Sequence, residues 1–320
     1  MIQREKILDM SDVGLGNLTE YRLLVMLGTY HSLCLVDGLN ISPDEIVDSN
    51  NRILYPAYYM TKLTVPVTNF IGSFGLWDKV KLSVDVSRFG SNILDSKYKF
   101  ERAVSPEEAD EQGILMESNS LFVVDATLDK SVNRTVSIPK ADKIAKLDKL
   151  VKPPVSLNTF KSVRKNGFAP GSQAVMVPTF YYKICTNRDV SPNHGVIFAK
   201  FIEIMDMAES EFLCSKLKMP EQVMEYLNVV ERETYYYSNC FANEVIEVDM
   251  SIDFQECENR NLTCKRQEVT PYWVYTTYEL YTQNTRNLVA ISKAKKVICL
   301  PVEGLNYEMD INRSITKRFK

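Results

Sequence analysis

A short polar loop in the second half of the chain contains the residues best suited to chemistry. Asp189, Ser191, Asn193, His194 and Gly195 precede an apolar, periodic stretch that predicts a helix. Backbone N–H groups at a helix N-terminus stabilise negative charge, so Ser191, Asn193 and the Gly195 amide are candidates for an oxyanion site. The alternative is that these residues only cap the helix, as Asp, Ser and Asn do in any protein. The residues alone favour capping.

Three tyrosines in one predicted strand form a second candidate group. A tyrosine hydroxyl acts as a general acid or carries an acyl group, although its reference pKa of about 10 makes it a weak nucleophile unless neighbours tune it. Tyr55 and Tyr59 are predicted on one face of the strand and Tyr58 on the other. The chain has 17 tyrosines, so most must serve in packing.

Other titratable residues lie in predicted helices. His31 follows an apolar helical pattern and is interpreted either as a proton relay or as a buried structural histidine. Asp206 and Glu209 are three residues apart and share one helix face, which is predicted to face solvent. The run 235–237 contains three tyrosines that either line an acyl pocket or pack in the core.

Composition excludes several classes of function. The net charge of -3 provides no field that would attract nucleic acid. The first residues show no secretory signal, and no apolar run reaches the ~20 residues needed to span a bilayer. The seven cysteines have no zinc-site spacing, so no metal is expected. We therefore expect free thiols in a cytoplasmic protein.

The pattern of apolar residues predicts the same order of elements twice. In the first half a helix around residues 18–33 precedes several strands, of which 80–86 alternates strictly between apolar and polar residues. In the second half a helix from about 195 to 216 precedes strands that include the alternating stretch 246–252. The segment between the halves is rich in Lys, Pro and Gly, and we expect one short helix at about 140–149 there.

A long helix followed by antiparallel strands, present twice, predicts an α+β double hot-dog fold. In this fold two antiparallel sheets each wrap around a long central helix. The order of elements alone also suits other α+β folds, and the internal duplication favours this one. The predicted boundaries are an N-terminal hot-dog at 1–128, a linker at 129–172 and a C-terminal hot-dog at 173–320.

Three stretches resemble a known family, the bifunctional acyltransferase/decarboxylase of the leinamycin pathway and its relatives. One stretch runs through residues 17–31 and ends at His31, another covers 54–59 and 89–96, and the last continues from Asp189 through the helix after Gly195. The sequence departs from the family pattern at Thr29, Ser32 and Ser191.

The resemblance implies that the protein decarboxylates methylmalonyl-CoA, or a related malonyl-CoA, and transfers the acyl group to an acyl carrier protein in polyketide biosynthesis. Acyl-CoA and the carrier protein would be its partners, no cofactor would be needed, and a monomer and a homodimer are both open. The implied catalytic residues are Tyr55, Tyr58, Tyr59, His31, Asp189, Ser191 and Asn193. The implied substrate-binding residues are Asn92, His194 and Gly195.

Two alternatives stay open at this point. Another hot-dog activity, a thioesterase or dehydratase acting on a carrier-bound acyl chain, is favoured by His194 next to the predicted helix start. A non-catalytic protein that binds acyl-CoA or acyl carrier protein is favoured by the departures at Thr29, Ser32 and Ser191.

Overall fold

The computed structural model is built from one large sheet and two long helices that pack on the same face of it. The structure describes residues 2–14, 17–40, 42–103, 113–124, 135–144, 146–171, 173–191, 195–219, 221–256 and 269–301. The helices are α1 (Glu20–Leu39), α2 (Ala141–Ile144), α3 (Ser156–Asn166), α4 (Thr186–Asp189) and α5 (Phe198–Glu211). The strands are β1 (Ile2–Ile7), β2 (Leu54–Thr64), β3 (Lys79–Phe89), β4 (Ile93–Arg102), β5 (Ile114–Val124), β6 (Asp148–Lys149), β7 (Val175–Lys183), β8 (Leu227–Tyr236), β9 (Val245–Glu256), β10 (Val269–Thr282) and β11 (Leu288–Pro301).

The order of strands in the sheet has an internal symmetry. It runs β1-β3-β4-β5-β2-β8-β11-β10-β9-β7, with the short β6 paired to β3. Thus the two predicted sheets are continuous, and they join where β2 pairs antiparallel with β8. Lys62 lies opposite Glu233 at the centre of this seam, which is the position of a local two-fold axis between the halves. The predicted double hot-dog architecture is therefore present.

Local hydrogen bonds repeat in the two halves. In the first half the amide of Gly75 donates to the Asp78 carboxylate over 2.9 Å, and in the second half the amide of Phe241 donates to the Glu244 carboxylate over 2.8 Å. Both turns lead into the alternating strands that the sequence predicts, β3 and β9. The loops before the helices are tied to these turns in the same way, by the bonds Leu18 N–Phe74 O and Val196 N–Cys240 O.

The main core lies between the sheet and helices α1 and α5, on what is called here the helix face. Thr19 caps α1 by accepting a bond from the amide of Arg22, as its residue type predicts. Helix α5 begins at Phe198 and ends in a wider turn over Phe212–Lys216, close to the predicted end of the helix. Within the described residues, the structure contains no helix with the length and apolarity needed to cross a bilayer.

The linker contains more structure than its composition predicts. Besides the short helix α2 near the expected position, it forms α3, which packs on the opposite face of the sheet, called here the outer face. Phe160 and Val163 of α3 contact a small apolar cluster there that includes Tyr59 and Tyr235. The Leu157, Phe160 and Val163 spacing supplies the apolar stripe that holds α3 in place.

Candidate active site

His31 is the centre of a buried, uncharged group of side chains in the first half. It is fully buried on α1, and its Nδ1 atom lies 2.9 Å from the Tyr98 hydroxyl and 3.3 Å from the Ser96 hydroxyl. Its Nε2 atom lies 3.5 Å from the Ser120 hydroxyl, and Tyr98 also contacts Ser118 over 3.1 Å. Both ring nitrogens therefore face hydroxyl groups supplied by β4 and β5. These residues and Tyr58 are called the neutral cluster.

Burial keeps the neutral cluster without charge at physiological pH. It lowers the pKa of His31 to about 4, so the imidazole stays neutral. Burial also raises the pKa of Tyr98 to about 12, in spite of its hydrogen bonds, and the pKa of Tyr58 well above its usual value. The two phenols therefore stay protonated and are hydrogen-bond donors rather than bases.

Tyr58 connects the neutral cluster to the start of α5. Its ring centre lies 5.5 Å from that of His31 and 4.3 Å from that of Phe198, the first residue of α5. Gly28 of α1 allows the Phe198 ring to lie close to the backbone of α1, because a Cβ atom at this position would lie 2.9 Å from a ring carbon of Phe198. The N-terminus of α5 thus lies against α1 and β2 of the first half.

A buried group of charges that the sequence did not predict joins Glu20 of α1 to α5, β8 and β11 of the second half. Arg232 of β8 donates to Glu20 over 2.8 and 3.1 Å and to Asp206 over 2.6 Å. Lys296 of β11 donates to Asp206 over 2.7 Å and also to Glu209. The expectation that Asp206 and Glu209 face solvent is therefore wrong for Glu209, which is fully buried. With Thr276 and Tyr278, these five residues form the charged cluster.

Three carboxylates share two cations in the charged cluster, and the pKa values of two of them, Glu20 and Asp206, are shifted in opposite directions. Burial raises the pKa of Glu20, against the attraction of Arg232. Burial would also raise the pKa of Asp206, but the charges of Arg232 and Lys296 outweigh it and lower that pKa. The Asp206 side chain is 36% exposed, whereas that of Arg232 is 2% exposed, so the cluster reaches the surface at Asp206.

The two clusters occupy equivalent positions of the duplicated fold. His31 on α1 lies against β4 and β5, while Glu209 on α5 contacts Thr276 of β10 over 2.9 Å and Lys296 of β11. Leu94 pairs with Ser120 in the first half, and Val274 pairs with Lys296 in the second. The equivalent pairs are His31 and Glu209, Ser96 and Thr276, Tyr98 and Tyr278, Ser120 and Lys296, and, in the central strands, Thr61 and Arg232.

Asp189, a predicted catalytic residue, has a fully bonded carboxylate. One oxygen accepts from the amide of Cys185 over 2.8 Å and from the Tyr182 hydroxyl over 2.9 Å. The other oxygen lies 3.0 Å from Arg188 and 3.0 Å from the Lys200 ammonium. Burial would raise the pKa of Asp189, but these bonds outweigh it and lower that pKa. The arrangement fixes the loop before α5.

The rest of that loop is closed by backbone and side-chain bonds. The amide and the hydroxyl of Ser191 both donate to the carbonyl of Gly195, each over 2.8 Å. Asn239, which sequence reasoning missed, accepts from the amides of Val196 and Cys240 over 3.0 and 2.8 Å. Gly195 is required here, because a Cβ atom would lie 1.9 Å from the Asn239 amide nitrogen.

The other predicted residues are dispersed. Tyr59 lies on the outer face, and its hydroxyl is 3.3 Å from that of Ser156. Tyr55 is half-buried and pairs with Val123 of β5. Only Tyr58 of the three tyrosines contacts His31 within the described residues. Asn92 lies in the turn between β3 and β4, while Asn193 and His194 fall outside the described residues.

Comparison with known proteins supports the fold. The sequence matches no protein-family model, and no curated protein is significantly similar to it. A structure assigned as an oleoyl thioesterase from Lactobacillus plantarum aligns over 93% of this chain and 96% of its own, with a TM-score of 0.61 and 11% identity. The 12:0-ACP thioesterase from Umbellularia californica aligns over 92% and 93%, with a TM-score of 0.60 and 13% identity.

A third structure, an acyl-ACP thioesterase from Bacteroides thetaiotaomicron, aligns over 92% of this chain and 96% of its own, with a TM-score of 0.53 and 12% identity. Each likeness extends over both halves and the seam between them. The chain therefore has the α+β double hot-dog fold, and the predicted fold class is confirmed. The resemblance to the decarboxylase family stays a prediction.

Proposed function

We propose that the protein processes acyl thioesters of CoA or of an acyl carrier protein, and that its reaction is decarboxylating acyl transfer. Support for acyl-thioester recognition comes from the whole-length likeness to three structures described as thioesterases. The substrate would be methylmalonyl-CoA or a related malonyl-CoA, and the acceptor an acyl carrier protein of polyketide biosynthesis. The chemistry needs no metal or redox cofactor.

The observation that carries the proposal is the absence of charge in the neutral cluster. Loss of carbon dioxide breaks a C–C bond and leaves its electron pair as an enolate on the thioester oxygen. Protonated phenols and a neutral imidazole donate hydrogen bonds to such an oxygen without repelling the carboxylate of the substrate. A buried, weakly polar environment also disfavours the carboxylate relative to the less concentrated charge of the enolate.

Tyr58 is the residue best placed to act, because it lies between His31 and the start of α5. Its hydroxyl would donate a hydrogen bond to the enolate oxygen, and a proton taken from solvent water at the α-carbon would complete the propionyl thioester. The carrier's thiol would then attack the thioester carbonyl, and CoA would leave as the thiol. The amides at the start of α5 would stabilise the oxyanion of that second step.

Mass spectrometry of the protein with methylmalonyl-CoA and phosphopantetheinylated acyl carrier protein tests the proposal. Propionyl on the carrier is the expected product, and Tyr58→Phe is expected to lower its rate about 100-fold or more. Tyr55→Phe and Tyr59→Phe are matched controls on the same strand and are expected to stay within a few-fold of the parent. Unchanged methylmalonyl-CoA, under conditions where CoA binding is measured, would overturn the reaction.

A further inference from the structure

The charged cluster contains two buried hydrogen-bond donors that lack a partner. Within the described residues, the Nη1 atom of Arg232 and the hydroxyl of Tyr278 make no hydrogen bond and have no solvent contact. The guanidinium carbon of Arg232 lies 5.7 Å from the ring centre of Tyr278, so both donors belong to one small region. Folded proteins rarely leave buried donors unpaired, and such groups call for an explanation such as a ligand.

The same region has an ionised carboxylate that reaches the surface. Asp206 bonds to both Arg232 and Lys296 through its Oδ1 atom, and its side chain is 36% exposed. The two cations lower its pKa, so it is a carboxylate at neutral pH. Hydrolysis of a carbonyl compound requires donors that stabilise an oxyanion and a base that activates water. This region contains two such donors beside one solvent-exposed carboxylate.

We infer that the charged cluster is a second, hydrolytic site for acyl thioesters, distinct from the neutral cluster. The inference rests on the proposed recognition of acyl thioesters. Arg232 and Tyr278 would donate to the carbonyl oxygen, and Asp206 would activate the attacking water. The neutral cluster is not suited to this reaction, since it consists of His31, tyrosines and serines and contains no carboxylate.

The atoms of the reaction balance without a cofactor. The water oxygen bonds to the carbonyl carbon while Asp206 takes a proton from it, and the carbonyl oxygen becomes an oxyanion that receives bonds from Arg232 and Tyr278. The oxyanion then re-forms the carbonyl, and the C–S bond breaks. The departing sulfur takes the proton back from Asp206, which yields a free acid and a free thiol.

The expected activity is release of CoA from a simple acyl-CoA, such as propionyl-CoA, with no carrier protein present. This substrate lacks the carboxylate that decarboxylation needs, so thiol release monitors the second site alone. Tyr278→Phe is expected to lower kcat/KM for thiol release about 100-fold, the usual effect of losing one oxyanion donor. Its melting temperature is expected to be equal to or above that of the parent, because the variant deletes an unpaired buried hydroxyl.

A matched control is Tyr235→Phe. Tyr235 is also buried, but it lies on the outer face, where its hydroxyl donates to Glu233. Thiol release by this variant is expected to stay within a few-fold of the parent. Asp206→Asn is a second test, since it keeps the shape of the side chain and removes the base, and its expected loss is also about 100-fold.

A binding measurement separates this inference from the proposed function. Isothermal titration with the thioether S-propyl-CoA, which cannot be hydrolysed, reports recognition of acyl-CoA by the parent protein. Binding without thiol release, or thiol release that Tyr278→Phe leaves unchanged, would overturn the hydrolytic site and leave the proposed function standing. No binding of the thioether and no turnover of methylmalonyl-CoA would overturn both.

Discussion

The neutral and charged clusters are equivalent in position and opposite in physical character. One fills the space between helix and sheet with a histidine, tyrosines and serines that carry no charge, and the other fills it with three carboxylates and two cations. The duplicated backbone therefore determines where polar side chains meet but not which interaction they make. Hydrogen bonds between neutral groups suffice in one half, whereas ionic pairing is obligatory in the other.

The largest expected effect comes from breaking the ionic pairing. Arg232→Met removes the cation that pairs with the buried Glu20 and one of the two cations that pair with Asp206. This loss is expected to lower the free energy of unfolding by about 3–5 kcal/mol. The control is Arg286→Met, because Arg286 is 60% exposed and pairs with carboxylates at the surface. Its expected effect is about 1 kcal/mol or less. Similar losses in denaturant unfolding for both variants would contradict the difference between buried and exposed pairs.

The next effect is a dependence of stability on pH that originates in the neutral cluster. The pKa of His31 is lowered to about 4 in the folded protein, and its usual value of about 6.5 holds in the unfolded chain. The unfolded chain therefore binds more protons between these values, and stability falls as the pH falls from 6.5 to 4. The expected loss is about 3 kcal/mol.

Unfolding of the parent and of His31→Gln across this pH range checks the expectation, since the variant lacks this part of the dependence of stability on pH.

The charged cluster contributes a dependence of stability on pH with the opposite sign. The pKa of Glu20 is raised on folding, so its contribution is greatest at low pH and is lost as the pH rises through the folded value. If His31→Gln and Glu20→Gln changed the slope in the same direction, the contrast between the clusters would fail.

The smallest effect distinguishes two equivalent tyrosines. Tyr98 contacts His31 and Ser118, so Tyr98→Phe is expected to cost about 1–2 kcal/mol of unfolding free energy. The hydroxyl of Tyr278 is buried without a partner, so Tyr278→Phe is expected to change stability by about 0.5 kcal/mol or less, or to increase it. Equal losses for the two variants in denaturant unfolding would show that the clusters do not differ in this respect.

Elements with strong local patterns were predictable from the sequence. The alternating stretches at 80–86 and 246–252 form β3 and β9, and Thr19 caps α1, because these features depend on neighbouring residues. The internal duplication was visible for the same reason, and it led to the correct fold class. In contrast, α3 was missed because prolines and lysines around it masked a three-residue apolar spacing.

The candidate site was less predictable, since its contacts join residues far apart in the chain. Glu20 meets Arg232 across 212 positions, so the i, i+3 spacing of Asp206 and Glu209 alone indicated an exposed helix face. The sequence nevertheless contained one indication of a buried charge. Lys296 interrupts a run of apolar residues in a predicted strand, at a position on the buried face. Buried cations require partners, and the carboxylates of the central helices were the available ones.

The seam between β2 and β8 has a consequence for synthesis of the chain. A ribosome completes β2 well before β8, so the free side of β2 is exposed as an open strand while the rest of the protein is made. Because Lys62 and Glu233 form the central pair of the seam, β8 of a second molecule can pair with this open strand in the same register. The continuous sheet that completes this protein is therefore also its main route to domain-swapped dimers, and slow translation of the second half would favour them.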